Sequence, residues 1–249
     1  HNKKSQIFTD TMGLPKPFDF SYYATAMERM NFGKAFFNSL IISVFSIILI
    51  VVFSSMTAWV LVRNKSRVSN FIYYLLIATM LIPFQAVMIP LMQYMSNWEI
   101  KSIGFSMIDS YYGLIFMYVG FGTSLSVFLY HGFIKSIPIS LEEAAMIDGC
   151  NKFQVFWKIV FPTLKPITVT VAILNVIWTW NDYLLPSLVL RSPEHRTIPL
   201  STFYFFGQFT IQWNLAMAGL VLTIIPIIIF YIFSQKYIIK GVMDGAVKQ

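Results

Sequence analysis

The sequence predicts an all-α membrane protein, built as a polytopic bundle of transmembrane helices. Two features of the composition support this fold class, because hydrophobic residues make up 57% of the chain and charged residues only 12%. Soluble domains carry about 25% charged residues, so a soluble fold would have too few charges for its water-facing surface. The apolar residues also occur in five long blocks, each near the roughly 20 residues that a helix needs to cross a bilayer.

The five apolar blocks are expected to be five spans. Each should be a helix, because within lipid only a helix satisfies its own backbone polar groups. The blocks cover residues 38–62, about 71–95, about 111–134, about 167–190 and about 215–233.

Each block has a recognisable character. The first is uncharged and closes on the basic residues that follow Val62, while the second contains Pro83 and Pro90. Proline is tolerated inside a membrane helix when neighbouring helices or water bond the freed carbonyls. The third block carries several Gly and Ser residues, and the fifth contains Pro226.

Basic residues in the loops predict the orientation of the bundle. The loop at 63–70, the loop at 135–165 and the C-terminal tail hold ten Lys and Arg, against three in the loops at 96–110 and 191–213. Cytoplasmic loops carry the excess of Lys and Arg, so the first set and the C-terminus are expected inside. Five spans then make residues 1–37 an extracytoplasmic segment. Its five further basic residues weaken the bias without reversing it, and a sixth helix upstream of residue 1 is expected to lead into it.

Several functional classes are not expected. The net charge of +7 is spread in short clusters between apolar blocks, without the basic face that nucleic acid requires. The three histidines are far apart and suggest no metal site, and Cys150 is the single cysteine. A phosphate-binding Gly-x-x-x-x-Gly-Lys loop is absent from the sequence, so the chain should neither bind ATP by that route nor act as an enzyme on it.

The loop between the third and fourth blocks is too structured to be a simple connector. Ser140 and Glu143 have the spacing of a capping box, which predicts a helix start there. Glu142 and Glu143 would lie at the positive end of the helix dipole. Gly149 can adopt the left-handed conformation that ends a helix. We therefore expect a helix of about two turns.

A second short helix is predicted at 152–161. Asn151 and Gln154 are placed as a weaker capping pair, and Pro162 and Pro166 should end the helix before the fourth span. Its apolar face is expected along the membrane boundary and consists of Phe153, Phe156, Trp157 and Val160. Judged on its pattern alone, the whole region could equally be an interfacial element without a partner.

This region resembles a known family. Glu143, Ala144 and Ala145, followed by Asp148-Gly149 and by residues 159–162, are similar to the "EAA" loop of permease subunits in binding-protein-dependent ABC importers. Further matches resemble the carbohydrate branch, and within it the second permease of the maltose system. They are residues 37–40, 82–85, 180–182, 235–237 and 241–248. The resemblance covers the chain from about Phe37, so residues 38–249 are expected to form the transmembrane domain, with the EAA loop at about 138–166. Such subunits usually have six spans, and five are visible here.

The resemblance implies a bacterial cell-membrane assembly that imports a sugar, of di- or oligosaccharide size. It implies a second permease subunit as heterodimeric partner, an external sugar-binding protein, and two ATPase subunits that use ATP and Mg. The short helix would contact an ATPase through Glu142, Glu143, Ala144, Ala145, Asp148 and Gly149. The tail would also contact the ATPase pair as an extended insert, through Gly241, Gly245 and Val247.

Polar and aromatic residues in the fourth block suggest a substrate pathway. The candidates are Asn175, Trp178, Asn181 and Asp182. A carboxylate inside a span is expensive and usually faces a cavity or a partner. Helical spacing groups Trp178 with Asp182 and directs Trp180 elsewhere, toward lipid or a partner subunit. Alternatively, the aromatic residues form the outer interfacial belt and Asp182 makes a structural hydrogen bond.

Other functions stay open at this point. The same machinery could import a polyol or a glycerol phosphodiester. A channel or receptor-like protein would not need the capped helix, and a membrane-embedded enzyme would need paired carboxylates or metal-spaced His and Glu within its spans.

Overall fold

A computed structural model describes residues 20–100, 105–206 and 212–246 as a helical bundle with one small strand pair. Within these residues, three helices are long and apolar enough to cross a membrane, and the number of candidate spans is up to five if each of two bent helix pairs is one span. Four of these candidates cover the first, second, third and fifth apolar blocks, and the remaining one, at 152–181, overlaps the fourth block over 167–181. The predicted fold class is confirmed. Of the predicted N-terminal segment at 1–37, residues 1–19 lie outside the described residues.

The first span is longer than its apolar block. A short helix, α1 (Ser21–Arg29), leads into α2 (Phe32–Arg63) through a turn at Asn31, which has φ 47°. The helix α2 begins six residues before the block because nothing at 32–37 prevents helix formation, and it ends as predicted at the basic cluster.

Hydropathy predicted that the second block is one helix, but in the structure this block is broken into two. It consists of α3 (Arg67–Thr79) and α4 (Phe84–Ser96), whose axes are bent by 105°. Pro83 lies at the break with ψ 138°. A proline removes a backbone donor and disfavours the helical conformation of the preceding residue, which explains the position of the break. Pro90, by contrast, is accommodated inside α4.

The third span, α5 (Tyr111–Ile134), has the predicted bounds. It follows a pair of antiparallel two-residue strands, β1 (Glu99–Ile100) and β2 (Phe105–Ser106). Ser110 caps its start by accepting a hydrogen bond of 3.2 Å from the N–H of Gly113.

Two short helices connect the third and fourth spans. They are α6 (Ser140–Ile147) and α7 (Lys152–Thr163), which contains a π-helical segment at Phe156–Val160. The chain then bends by 77° into α8 (Lys165–Asn181).

The fourth block breaks before its predicted end. Asp182 is extended, with ψ 127°, and its carboxylate accepts a hydrogen bond from the N–H of Leu184. This local bond replaces the continuing helix, and a separate α9 (Leu184–Val189) follows. Two 3₁₀ turns, Pro193–His195 and Phe203–Phe205, flank α10 (Ile198–Thr202).

The last helix, α11 (Trp213–Ala246), continues through Gly241 and Gly245. The extended tail predicted from these glycines is therefore wrong up to Ala246. A glycine costs a helix only about 1 kcal/mol, which the preceding long helix can absorb. Val247 lies outside the described residues.

The centre of the bundle is the contact between α2 and α5, to which α8 is added. Gly122 lets the three helices approach. A Cβ at this position would lie 2.5 Å from Cδ1 of Ile50 on α2 and 2.7 Å from Oδ1 of Asn175 on α8.

Candidate functional site

The helix α6 starts differently from the sequence prediction. Its cap is Ile139, whose carbonyl accepts the N–H groups of Glu142 and Glu143, and Ser140 makes no capping hydrogen bond. The predicted capping box at Ser140 and Glu143 is therefore wrong. Ser140 is already the first helical residue, one position past the place from which a hydroxyl caps.

The end of α6 is as predicted. Gly149 has φ 87°, and its N–H donates to the carbonyl of Met146, while the N–H of Cys150 donates to the carbonyl of Ala145. This is the two-bond pattern of a Schellman motif, in which glycine takes the left-handed position. The chain turns sharply there toward α7.

The two faces of α6 differ. Ala145 and Glu142 point into the protein and are buried. The opposite face is exposed and includes Ile139, Leu141, Glu143, Ala144, Met146, Ile147 and Asp148, with Ile147 87% exposed. An uncovered apolar cluster on a short polar loop is typical of a protein-binding surface. We call this set of residues the α6 docking face.

Glu142 and Ala145 are not part of this face, contrary to the sequence prediction, because both side chains are buried against the rest of the chain. Glu142 Oε1 lies 2.8 Å from both Nε and Nη2 of Arg63, and its Oε2 accepts a 2.9 Å hydrogen bond from Trp59 Nε1. Arg63 also donates to the carbonyl of Ile137 at 3.0 Å. The carboxylate is therefore satisfied within the chain and has no exposed position from which to meet an ATPase.

The helix α7 supports α6 from the other side. Its predicted capping box is confirmed, because Asn151 and Gln154 each bond the other's backbone N–H at 2.9 Å. Its apolar face was predicted to lie along the membrane boundary, and only part of that face is exposed. Phe156 and Val160 are buried in the same core as Ala145, whereas Phe153 is 65% exposed.

In the membrane part, the structure brings Asp182 and Trp178 together through a residue that sequence reasoning missed. The Tyr118 hydroxyl on α5 donates to Asp182 Oδ2 at 3.0 Å, and the Tyr118 ring meets the Trp178 ring edge-on at 5.4 Å. The predicted grouping of Trp178 with Asp182 is thus present. Nothing in the sequence distinguishes Tyr118 from its neighbours, since only the packing of α5 against α8 selects it.

The other candidates of the fourth span lie apart. Asn175 is buried and bonds Ser126 and the carbonyl of Val171, which places it at the helix contact near Gly122. Asn181 is exposed and its amide bonds the backbone of its own helix at 2.7 Å.

Trp180 was expected to point toward lipid or a partner, and this is wrong. It is 7% exposed and lies within the chain, where its ring meets that of Phe36 at 5.7 Å and packs near Ala35 and Ile198. The α2 helix begins early enough to cover this side of α8.

At the opposite end of α2 from α6, two polar side chains hold the loop that follows α9. The Asn38 amide donates to the carbonyls of Glu194 and Arg196 at 2.9 Å each and accepts from the Tyr111 hydroxyl at 2.8 Å. Asp109 accepts from the N–H groups of the same loop. We call this arrangement the loop clasp.

The charge of Asp109 is stabilised by these bonds. Partial burial alone would raise the pKa of Asp109, but hydrogen bonds from Ser192 Oγ and N–H, from His195 and from the N–H of Arg191 outweigh it and lower the pKa to about 2. Beside the clasp lies an open cavity of about 430 Å³. It is lined by Arg29, Met30, Asn31, Pro193, Glu194, Arg196 and Ser201.

A family model described as "Binding-protein-dependent transport system inner membrane component" matches residues 50–244, which is well over half of the chain. The chain belongs to this family. As an inner membrane component it is a multi-pass permease and not the ATPase, and the family works with a binding protein and an ATPase. The resemblance drawn from the EAA loop is thereby confirmed.

Similar proteins are also permeases of transport systems. This permease is 50% identical to the probable starch degradation products transport system permease protein AmyC of Thermoanaerobacterium thermosulfurigenes, over 99% of this chain and 87% of that protein. It is 34% identical to the melibiose/raffinose/stachyose import permease protein MelC of Bacillus subtilis, over 94% and 83%. A crystal structure of a bacterial ABC transporter involved in the import of the acidic polysaccharide alginate contains a chain with a TM-score of 0.76 and 26% identity, over 91% of this chain and 84% of that one.

Proposed function

We propose that this permease carries an oligosaccharide across the bacterial cell membrane, after an external binding protein has delivered it. The names of its relatives support a sugar, since they transport starch degradation products, melibiose, raffinose, stachyose and arabinooligosaccharides. A second permease subunit would complete a heterodimer, and two ATPase subunits would bind the ATP and Mg that drive transport.

The observation that carries the mechanism is the α6 docking face. Its apolar side chains Leu141, Met146 and Ile147 are uncovered, although the other face of the helix is buried through Glu142 and Ala145. In a family that depends on an ATPase, the simplest cover is an ATPase subunit. Glu143 and Asp148 are exposed beside the apolar residues and can pair with basic side chains of that partner.

This arrangement supports transport by rigid-body motion. When the ATPase pair closes on ATP, the docked α6 moves with it, and the helices that hold α6 tilt. The bundle would thereby switch between inward-open and outward-open arrangements, a two-state element biased by nucleotide. The basic residues of the loops favour a cytoplasmic position for α6 and for the C-terminus. Gly241 and Gly245, four residues apart on α11, would then face the ATPase pair as part of a helix.

The sugar is proposed to pass along the side of α8 that carries Trp178, Asn181 and Asp182. Trp178 and Asn181 are exposed on the protein surface, where a second permease would enclose a cavity. An aromatic face next to amide and carboxylate groups suits the rings and hydroxyls of carbohydrates. Asn175, which is buried among helices of its own chain, is excluded from this surface.

The test is uptake of radiolabelled sugars by cells that lack only this subunit. Deletion should abolish uptake of one class of oligosaccharide, and the wild-type gene should restore it. A control variant, Gly120→Ala, should transport normally, because in the part of the chain that the structure describes no atom lies within 4 Å of the Gly120 Cβ position. Normal uptake of every oligosaccharide in the panel, with loss of a polyol or a phosphodiester instead, would overturn the sugar assignment.

A further inference from the structure

We propose that Glu142 is a positioning residue that fastens the docking helix α6 to the first span through Arg63, and that it does not itself contact the ATPase. This proposal rests on the function proposed above. We call the group of Glu142, Arg63 and Trp59 the latch.

In the latch, both carboxylate oxygens of Glu142 have partners within the chain. Arg63 approaches Oε1 with two nitrogens at 2.8 Å, and Trp59 donates to Oε2 at 2.9 Å. Trp59 and Arg63 are four residues apart, so they share one face at the end of α2. A third bond, from Arg63 to the carbonyl of Ile137, ties the same guanidinium to the segment that leads into α6.

The latch is shielded from water. The side chain of Glu142 is 5% exposed and that of Arg63 is 19% exposed. Removing one partner of a buried ion pair leaves an uncompensated charge, so the pair strongly resists separation. The planar fork of arginine also fixes the direction of the bond, which a lysine could not do. A movement of α6 must therefore carry the end of α2 with it.

The latch adds a charged link to the apolar contacts of α6. Ala145 on the same inner face belongs to a core that contains Phe156 of α7 and also Ala58 of α2. Through Glu142, α6 is further joined by an ion pair to α2, a helix of 32 residues whose other end holds the loop clasp at Asn38. Displacement of the docking helix would thus reach both α7 and the far side of the bundle.

Glu143 provides a matched control. It is the neighbouring residue, has the same chemistry, and is exposed on the docking face. The two glutamates should therefore give different phenotypes. Loss of Glu143 should weaken attachment of the ATPase, whereas loss of Glu142 should leave the ATPase attached but poorly coupled to transport.

The experiment uses the complete transporter with its binding protein in proteoliposomes. Radiolabelled maltooligosaccharide uptake and ATP hydrolysis are measured together, and ATPase co-purification is measured separately. In Glu142→Gln, the number of sugars transported per ATP should fall about tenfold, because the buried charge pair is lost, while co-purification stays normal. In Glu143→Gln, co-purification should fall and the ratio should stay normal for the complexes that remain.

Further variants keep the test decisive. The exchange Arg63→Glu with Glu142→Arg should restore part of the ratio lost in Glu142→Gln, which a purely local packing defect would not allow. Arg63→Lys and Trp59→Phe should each lower the ratio by a few-fold, and they decide the outcome if Glu142→Gln does not accumulate. An unchanged ratio in these variants, or ATPase loss in Glu142→Gln like that in Glu143→Gln, would overturn the latch. Absence of sugar uptake by the wild-type transporter would instead contradict the proposed function.

Discussion

The Tyr118 hydroxyl of α5 donates a 3.0 Å hydrogen bond to Asp182, at the residue where the helix α8 has just ended. This bond joins the third span to the break in the fourth. It also explains how a carboxylate is tolerated there, since a second bond from the N–H of Leu184 satisfies the other oxygen. Asp182 therefore holds the Tyr118 side chain, whose ring packs against Trp178.

Asp182 is predicted to influence uptake more than Trp180 does. Asp182→Ala removes both hydrogen bonds and releases the hydroxyl of Tyr118, whose ring packs against Trp178, so sugar uptake should fall about tenfold or more. Trp180→Phe keeps an aromatic ring against Phe36 and removes only an indole N–H that has no hydrogen-bond partner among the described residues, so uptake should change little. Initial uptake rates, corrected for the amount of protein in the membrane, test this. If Asp182→Ala depletes the protein from the membrane, its role is structural alone.

The docking face should be disrupted most cleanly at Ile147. Ile147→Asp places a charge on a side chain that is 87% exposed, so the permease should fold normally and lose its ATPase subunits on purification. Ala145→Arg is a different kind of change, because Ala145 is buried and the arginine would disrupt the core first. Ser136→Asp, at an exposed position before α6, serves as the control. Retention of the ATPase in Ile147→Asp would rule out this face.

Gly122 is predicted to be required for helix packing. Gly122→Ala would force Ile50 and Asn175 apart, and overpacking of this kind destabilises a protein by about 1–3 kcal/mol. Gly120 lies two residues away on α5, and no atom of the described residues is within 4 Å of its Cβ position, so Gly120→Ala should be neutral or stabilise the helix by up to about 1 kcal/mol. Thermal unfolding in detergent compares the two variants. Equal melting temperatures would contradict the packing argument.

The loop clasp is expected to depend on pH only under acidic conditions. The pKa of Asp109 is lowered to about 2 in the folded protein, below its ordinary value of 3.8. The stabilisation from this carboxylate is therefore fully present above about pH 4 and is lost as the pH falls toward 2. Asp109→Asn should remove this part of the acid dependence while keeping the left-handed backbone, φ 56°, that asparagine tolerates. Acid unfolding curves of the two proteins measure the difference.

Orientation can be tested with the single natural cysteine. Cys150 follows α6 and is partly exposed, so an impermeant maleimide should label it only after the cells are opened. Cysteines introduced at the exposed positions Asn97 and Glu194 should react in intact cells, once Cys150 has been replaced by Ser. Labelling of Cys150 in intact cells would reverse the predicted topology.

Local signals in the sequence predicted much of the fold. Among the described residues, hydropathy located four candidate spans, part of the fifth, and both ends of α5. Turn chemistry located the helix end at Gly149 and the capping box of Asn151 with Gln154. These features depend on residues close together in the chain, so the sequence contains the physical information that decides them. The EAA pattern around Glu143 likewise sufficed for the family.

Only the tertiary structure decided which side chains face inward. Glu142 and Glu143 are chemically identical neighbours, yet one is buried against Arg63 and the other is exposed, because Arg63 and Trp59 lie 79 and 83 positions away in the chain and beside α6 in space. Trp178 and Trp180 also differ in burial, because Trp178 contacts Tyr118 on α5 and stays exposed, whereas Trp180 packs against Phe36 on α2 and is buried. Apolar residues are favourable both in lipid and in a protein core, so composition along a span cannot tell the two environments apart. That choice is made by contacts between distant segments, which form only when the helices pack.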